Sequence, residues 1–109
     1  MTREKNKLLF AYGSLLDPDL QMQLFGRHIL SEGPAVLEQW EVVSSEEYPY
    51  IRPNAQSRVH GEVLKMSPAQ LKLADQWEEV PDEYQRETLT VLLNGKEKVR
   101  AFAYTRREG

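Results

Sequence analysis

The chain has 109 residues, 40% of them hydrophobic, enough for one domain with a real core and too few for two. Fourteen Lys and Arg against 17 Asp and Glu leave a net charge of -3, and the basic residues are scattered, so neither a nucleic-acid footprint nor a polybasic membrane patch is visible. With no cysteine and only two histidines, His28 and His60, disulfides, thiolate nucleophiles and zinc-thiolate sites are excluded, and chemistry falls to carboxylates, hydroxyls and backbone.

Met1 to Lys7 is polar with no apolar run of signal-peptide type behind it, and no segment approaches membrane-spanning length, so a cytoplasmic protein is expected. Leu8 to Ala11 then reads as a strand that stops at Gly13, and Asp17-Pro18 supplies an N-cap and a first helical residue. At such a junction the N–H groups of Gly13, Ser14 and Leu15 can point out of the sheet end, where an anion or a developing oxyanion would be received. The plainer reading is a core strand followed by an ordinary turn.

A short helix is expected over Asp17 to Phe25, with Gly26 at its C′ position. His28 to Ser45 reads as extended, broken early at Gly33-Pro34, and Tyr48 to Asn54 reads as loop because each proline turns its predecessor away from helix. Arg58 to Met66 is a strand in which Gly61 marks a bulge or a close backbone approach. Ser67-Pro68-Ala69-Gln70 starts a helix running to Glu78 or Glu79, since Pro81 forbids much more. Arg86 to Leu93 and Lys96 to Thr105 flank Asn94-Gly95, a hairpin turn signal. The order β-α-β-β-α-β-β suits an α+β domain rather than a doubly wound sheet.

Leu71, Ala74, Asp75 and Glu78 share one face of the second helix, apolar at its start and acidic at its end. Either the helix rolls so that Leu73, Ala74 and Trp77 form the core stripe, or Glu78 points inward with its pKa raised by desolvation. Glu78-Glu79 and Asp82-Glu83 can equally be a solvated acidic end. Ser14 lacks the surroundings of a hydrolase nucleophile, Asp75 with Glu78 makes a thin metal pair, and Trp40, Trp77 and Tyr104 read most simply as core aromatics, with the Tyr104 hydroxyl able to reach a pocket edge.

Four short motifs, in order, carry a resemblance that covers nearly the whole chain. Phe10-Ala11-Tyr12-Gly13-Ser14-Leu15 resembles the opening signature of the gamma-glutamylcyclotransferase-like (AIG2-like) family, and Tyr48-Pro49-x-Ile51 resembles its Tyr-Pro loop. Val59-His60-Gly61-Glu62-Val63 is similar to its Val-x-Gly-Glu-Val/Leu strand, and Leu73 to Pro81 followed by Tyr84-Gln85-Arg86 is similar to its Leu-Asp-x-x-Glu-Gly and Tyr-x-Arg segments. Two positions depart from the pattern: Ala74 stands between Leu73 and Asp75, and Glu79 replaces the glycine after Glu78. If that glycine takes φ > 0, Glu79 must strain or the turn must differ.

The resemblance implies a mixed, mainly antiparallel sheet curled into a small barrel with a few short helices. It implies Glu78 as catalytic acid/base, and Tyr12, Gly13, Ser14, Leu15, Tyr48, Pro49 and Tyr84 as substrate-binding residues. It also implies cyclisation of a small gamma-glutamyl substrate to pyroglutamate and a free amine or amino acid, with no cofactor and no metal. The scattered charge argues for no nucleic-acid and no membrane partner, and the sequence does not choose between monomer and homodimer. The competing expectation is a binding or regulatory module that keeps the fold and pocket without turnover.

Overall fold

The computed structural model describes residues 5–44 and 49–106. Five strands, β1 (Lys7–Ala11), β2 (Leu30–Val43), β3 (Tyr50–Met66), β4 (Gln85–Leu93) and β5 (Glu97–Thr105), close into a barrel in the order β1-β3-β2-β4-β5. Neighbours pair antiparallel except β1 and β5, which run parallel where Leu9 meets Phe102. A 3-10 turn (Ser14–Leu16) and α1 (Pro18–Phe25) follow β1, and α2 (Pro68–Trp77) joins β3 to β4. Element order and fold class are those expected from the sequence. No helix among the described residues is long and apolar enough to cross a membrane.

Local chemistry sets the element ends. The Asp17 side chain accepts from the Asp19 N–H at 2.9 Å, Pro18 occupies the first turn of α1, and Gly26 ends it at φ 71°. Ser67 and Gln70 form a reciprocal capping box on α2. Asn94 (φ 54°) and Gly95 (φ 72°) make the two left-handed residues of the β4–β5 hairpin.

Two sequence expectations need correction. Tyr50 to Asn54 is strand, not loop, because the start of β3 is held across from the end of β2, with Tyr50 opposite Val43 and Pro53 opposite Trp40. Gly33-Pro34 does not break β2. The irregularity is absorbed as a register shift between Ser31 and Gly33, with Gly33 at φ 136°, and a second shift lies between Glu38 and Trp40.

Two apolar clusters lie on opposite faces of the barrel wall. Phe10, Leu37, Val59, Val63, Val91 and Ala101 belong to the cluster inside the barrel, to which all five strands contribute. Leu9, Leu64, Met66, Leu71, Ala74 and Tyr104 belong to the one under the helices. Consecutive residues of β1 therefore serve different cores, which is why its sequence is an unbroken apolar run rather than an alternation. Gly61 makes the close approach expected of it. A Cβ there would run into the Ala11 carbonyl oxygen and meet the Phe10 ring at 3.0 Å.

Candidate active site

The end of β1 and the end of α2 meet at one cavity of about 480 Å³. On the β1 side, the chain leaves the sheet at Tyr12 and winds into the 3-10 turn, where the Leu16 N–H donates to the Gly13 carbonyl at 3.0 Å and the Asp17 N–H to the Ser14 carbonyl at 2.9 Å. The N–H groups of Gly13, Ser14 and Leu15 precede the first of these bonds, and all three residues line the cavity.

On the α2 side, Leu71 and Ala74 are buried while Leu73 is 41% exposed, so the helix presents the Leu71, Ala74, Asp75 and Glu78 face to the body of the protein. Of the two orientations open from sequence, the one that points Glu78 inward is realised. Glu78 is the C-cap residue. The Glu79 N–H donates to the Gln76 carbonyl at 3.2 Å and the Val80 N–H to the Asp75 carbonyl at 3.0 Å, which together form a Schellman closure. Glu79 occupies the left-handed position of that closure at φ 56°. The turn is thus the one a glycine would make, adopted by a glutamate at a conformational cost.

Burial raises the Glu78 carboxyl to about 7, so near neutrality it passes readily between proton acceptor and donor. Tyr12 faces the same cavity, and its hydroxyl donates to the Tyr104 carbonyl at 2.7 Å. Burial, with smaller contributions from Tyr84 and Glu78, holds the Tyr12 phenol well above its ordinary range, so it stays protonated. The Tyr84 hydroxyl donates to the Pro49 carbonyl at 2.9 Å, tying the start of the β3 arm to the cavity rim.

Tyr12, Gly13, Ser14, Leu15, Pro49, Glu78 and Tyr84, all named from sequence, line this one cavity. Tyr48 lies outside the described residues. Trp77 is corrected from core to cavity wall, since it is 39% exposed. Trp40 packs half-buried against the cluster inside the barrel. Tyr104 is buried and also reaches the cavity. Arg106, which sequence reading passed over, follows the end of β5, also lines the cavity and lies 5.2 Å over the Tyr50 ring. Asp75 is engaged by Tyr104 and Arg86, and among the described residues no three His, Asp or Glu side chains gather as metal ligands.

A family model described as gamma-glutamyl cyclotransferase, AIG2-like, matches residues 9–109. No curated protein sequence matches the chain. Among solved structures, an Arabidopsis thaliana protein determined in solution superposes with a TM-score of 0.82 at 27% identity, over 97% of this chain and 65% of its own. A mouse AIG2-like protein gives 0.77 at 26% identity, over 93% of this chain and 77% of its own. A structure named gamma-glutamyl cyclotransferase shares the fold at a TM-score of 0.82 and 19% identity, over 95% of this chain and 68% of its own. The chain therefore spans about two thirds of the length of the Arabidopsis relative. Because the matched range takes in both helices and every residue that lines the cavity, the chain belongs to the gamma-glutamyl cyclotransferase, AIG2-like family.

Proposed function

We propose that the protein is a gamma-glutamyl cyclotransferase that converts a small gamma-glutamyl substrate into pyroglutamate and a free amine or amino acid. The observation that supports this most is the placement of one carboxyl, raised to about 7, in a shared cavity with a turn whose leading N–H groups have no hydrogen-bond partner among the described residues.

The reaction needs no protein nucleophile. The substrate's α-amine attacks its own γ-carbonyl carbon, forming the ring C–N bond, and the old C–N bond to the leaving amine then breaks. Glu78 takes the proton that the α-ammonium must lose and returns it to the departing nitrogen, one group acting as base and then as acid. Donors from the Gly13 to Leu15 turn face the oxygen that becomes negative in between, a role worth about 3 kcal/mol per donor. The walls contributed by Tyr12, Pro49, Trp77 and Tyr84 hold the glutamyl chain folded, so that the intramolecular geometry supplies much of the rate. A cytoplasmic location belongs to the same reading.

The test is pyroglutamate release, followed by mass spectrometry, from a panel of gamma-glutamyl dipeptides and gamma-glutamyl amines, with Glu78→Gln as the blank. Release by the wild type alone supports the reading and identifies the leaving group. Silence from folded wild-type protein overturns it in favour of a binding module.

A further inference from the structure

Gln21 sits on the first half of α1 and is 6% exposed, an unusual burial for an amide on a short surface helix. Both ends of its side chain are used. Nε2 donates to the Leu15 carbonyl at 2.8 Å, and Oε1 accepts from the Ile29 N–H at 2.8 Å. The amide orientation is forced by its partners, because a backbone carbonyl can only accept and a backbone N–H can only donate.

The consequence for the turn follows from the planar trans peptide, in which C=O and N–H point in opposite directions. The Leu15 carbonyl is held by Gln21, which directs the Leu16 N–H the other way, onto the Gly13 carbonyl. With the Gly13 carbonyl held in turn, the N–H of the same peptide, that of Ser14, is directed away from the turn. Two peptide groups thus link a buried amide to the Ser14 N–H, a donor with no partner among the described residues, on a residue that lines the cavity, and each bond in such a chain polarises the next.

We infer that Gln21 is a positioning residue that fixes and strengthens the Ser14 N–H as a donor toward the reacting oxygen. This rests on the cyclotransferase reading. Gln21 touches no substrate, as it does not line the cavity; it acts through Leu15 and Gly13.

The experiment compares wild type, Gln21→Met and Gln21→Glu in pyroglutamate release and in the amide NMR spectrum. Gln21→Met removes both bonds at nearly constant volume, and its kcat should fall about ten- to hundredfold with KM within threefold, a fraction of what losing a whole donor costs. Gln21→Glu keeps the shape and can donate to the Leu15 carbonyl only as the protonated acid. Its kcat relative to wild type should therefore be partly restored at low pH and fall as pH rises, a signature that a purely structural role does not produce. The Ser14 amide proton should shift upfield in Gln21→Met, a readout that needs no turnover. Unchanged kcat in folded Gln21→Met, or a Gln21→Glu loss that is the same at every pH, overturns the inference while the cyclotransferase reading stands on wild-type release. If the wild type is silent, that reading fails by itself, and an unmoved Ser14 resonance overturns the positioning role as well, whereas a moved one upholds it as geometry.

Discussion

The Tyr104 hydroxyl donates to the Asp75 carboxylate at 2.7 Å, one helical turn before Glu78, and Arg86 reaches the other oxygen of the same carboxylate at 2.7 Å. Asp75 therefore fastens the end of α2 to both β5 and β4, and Arg86 in turn stacks 4.6 Å over Phe102. Both partners of the ion pair are under a third exposed, so solvent screens it only in part. Burial, and then the bond to Asp75, hold the Tyr104 phenol above its ordinary range, so it serves as a permanent donor here. Asp75→Ala should cost about 3 kcal/mol, because it leaves a half-buried guanidinium and a buried hydroxyl without their acceptor. Urea unfolding measures the loss. Turnover should fall with it even where the variant is fully folded, since the last turn of α2 aims Glu78. A variant with wild-type kcat would show that Asp75 serves stability alone.

Glu78 carries a pH signature of its own. Its carboxyl is raised from 4.5 to about 7, so between those values the native state keeps a proton that the unfolded chain has released. Stability therefore falls as pH rises through that window, by up to about 3 kcal/mol. Glu78→Gln removes the titration. It should match the wild type near pH 4 and be the more stable protein at pH 8, as read from urea midpoints at several pH values. In the wild type, kcat/KM should rise with pH and bend near pH 7 as the free carboxyl becomes a base, and Glu78→Gln should have no turnover at either end.

Gly61→Ala tests the contact that sets β1 against β3. The added methyl would strike the Ala11 carbonyl and press on the Phe10 ring, both immediately before the cavity-lining Tyr12. Overpacking of this kind costs about 1–3 kcal/mol, and backbone as the obstacle puts this case at the upper end. Thermal unfolding should show the drop, and an unchanged midpoint would mean that the two strands separate freely.

Most of the frame was legible because the local signals agreed with one another: a capping box at Ser67, a left-handed pair at Asn94-Gly95, a C′ glycine at Gly26 and an unbroken apolar run in β1. The residues of the cavity were named through short motifs rather than through periodicity. What remained hidden was tertiary. The sequence of Tyr50 to Asn54 carries loop chemistry and becomes strand only because β2 lies alongside. The face Asp75 shares with Glu78 stayed ambiguous, since only its partners Tyr104 and Arg86, 29 and 11 residues away, settle which way the helix rolls. Gln21 gave no signal at all, because a glutamine on a short surface helix is ordinarily exposed, and its burial depends on Leu15 and Ile29 arriving from either side.

Glu79 is the residue where this chain departs from the glycine of the family motif, and its φ of 56° shows what the departure does. A side chain in that region costs about 1–2 kcal/mol relative to helical backbone, and glycine escapes the penalty while losing more chain entropy on folding. The Schellman bonds from Glu79 and Val80 are nevertheless in place, so the backbone that ends α2 and presents Glu78 has the shape that glycine would give it. Glu79→Gly should consequently stabilise the protein by about 1 kcal/mol, the relieved strain less the entropy term, while kcat stays within about threefold. Glu79→Val, β-branched at the same position, should destabilise it by more than that. Urea midpoints and pyroglutamate release on the three proteins check this together. A tenfold or greater rise in kcat for Glu79→Gly would show instead that the glutamate side chain, which lines the cavity beside Glu78, holds the site in a less active arrangement.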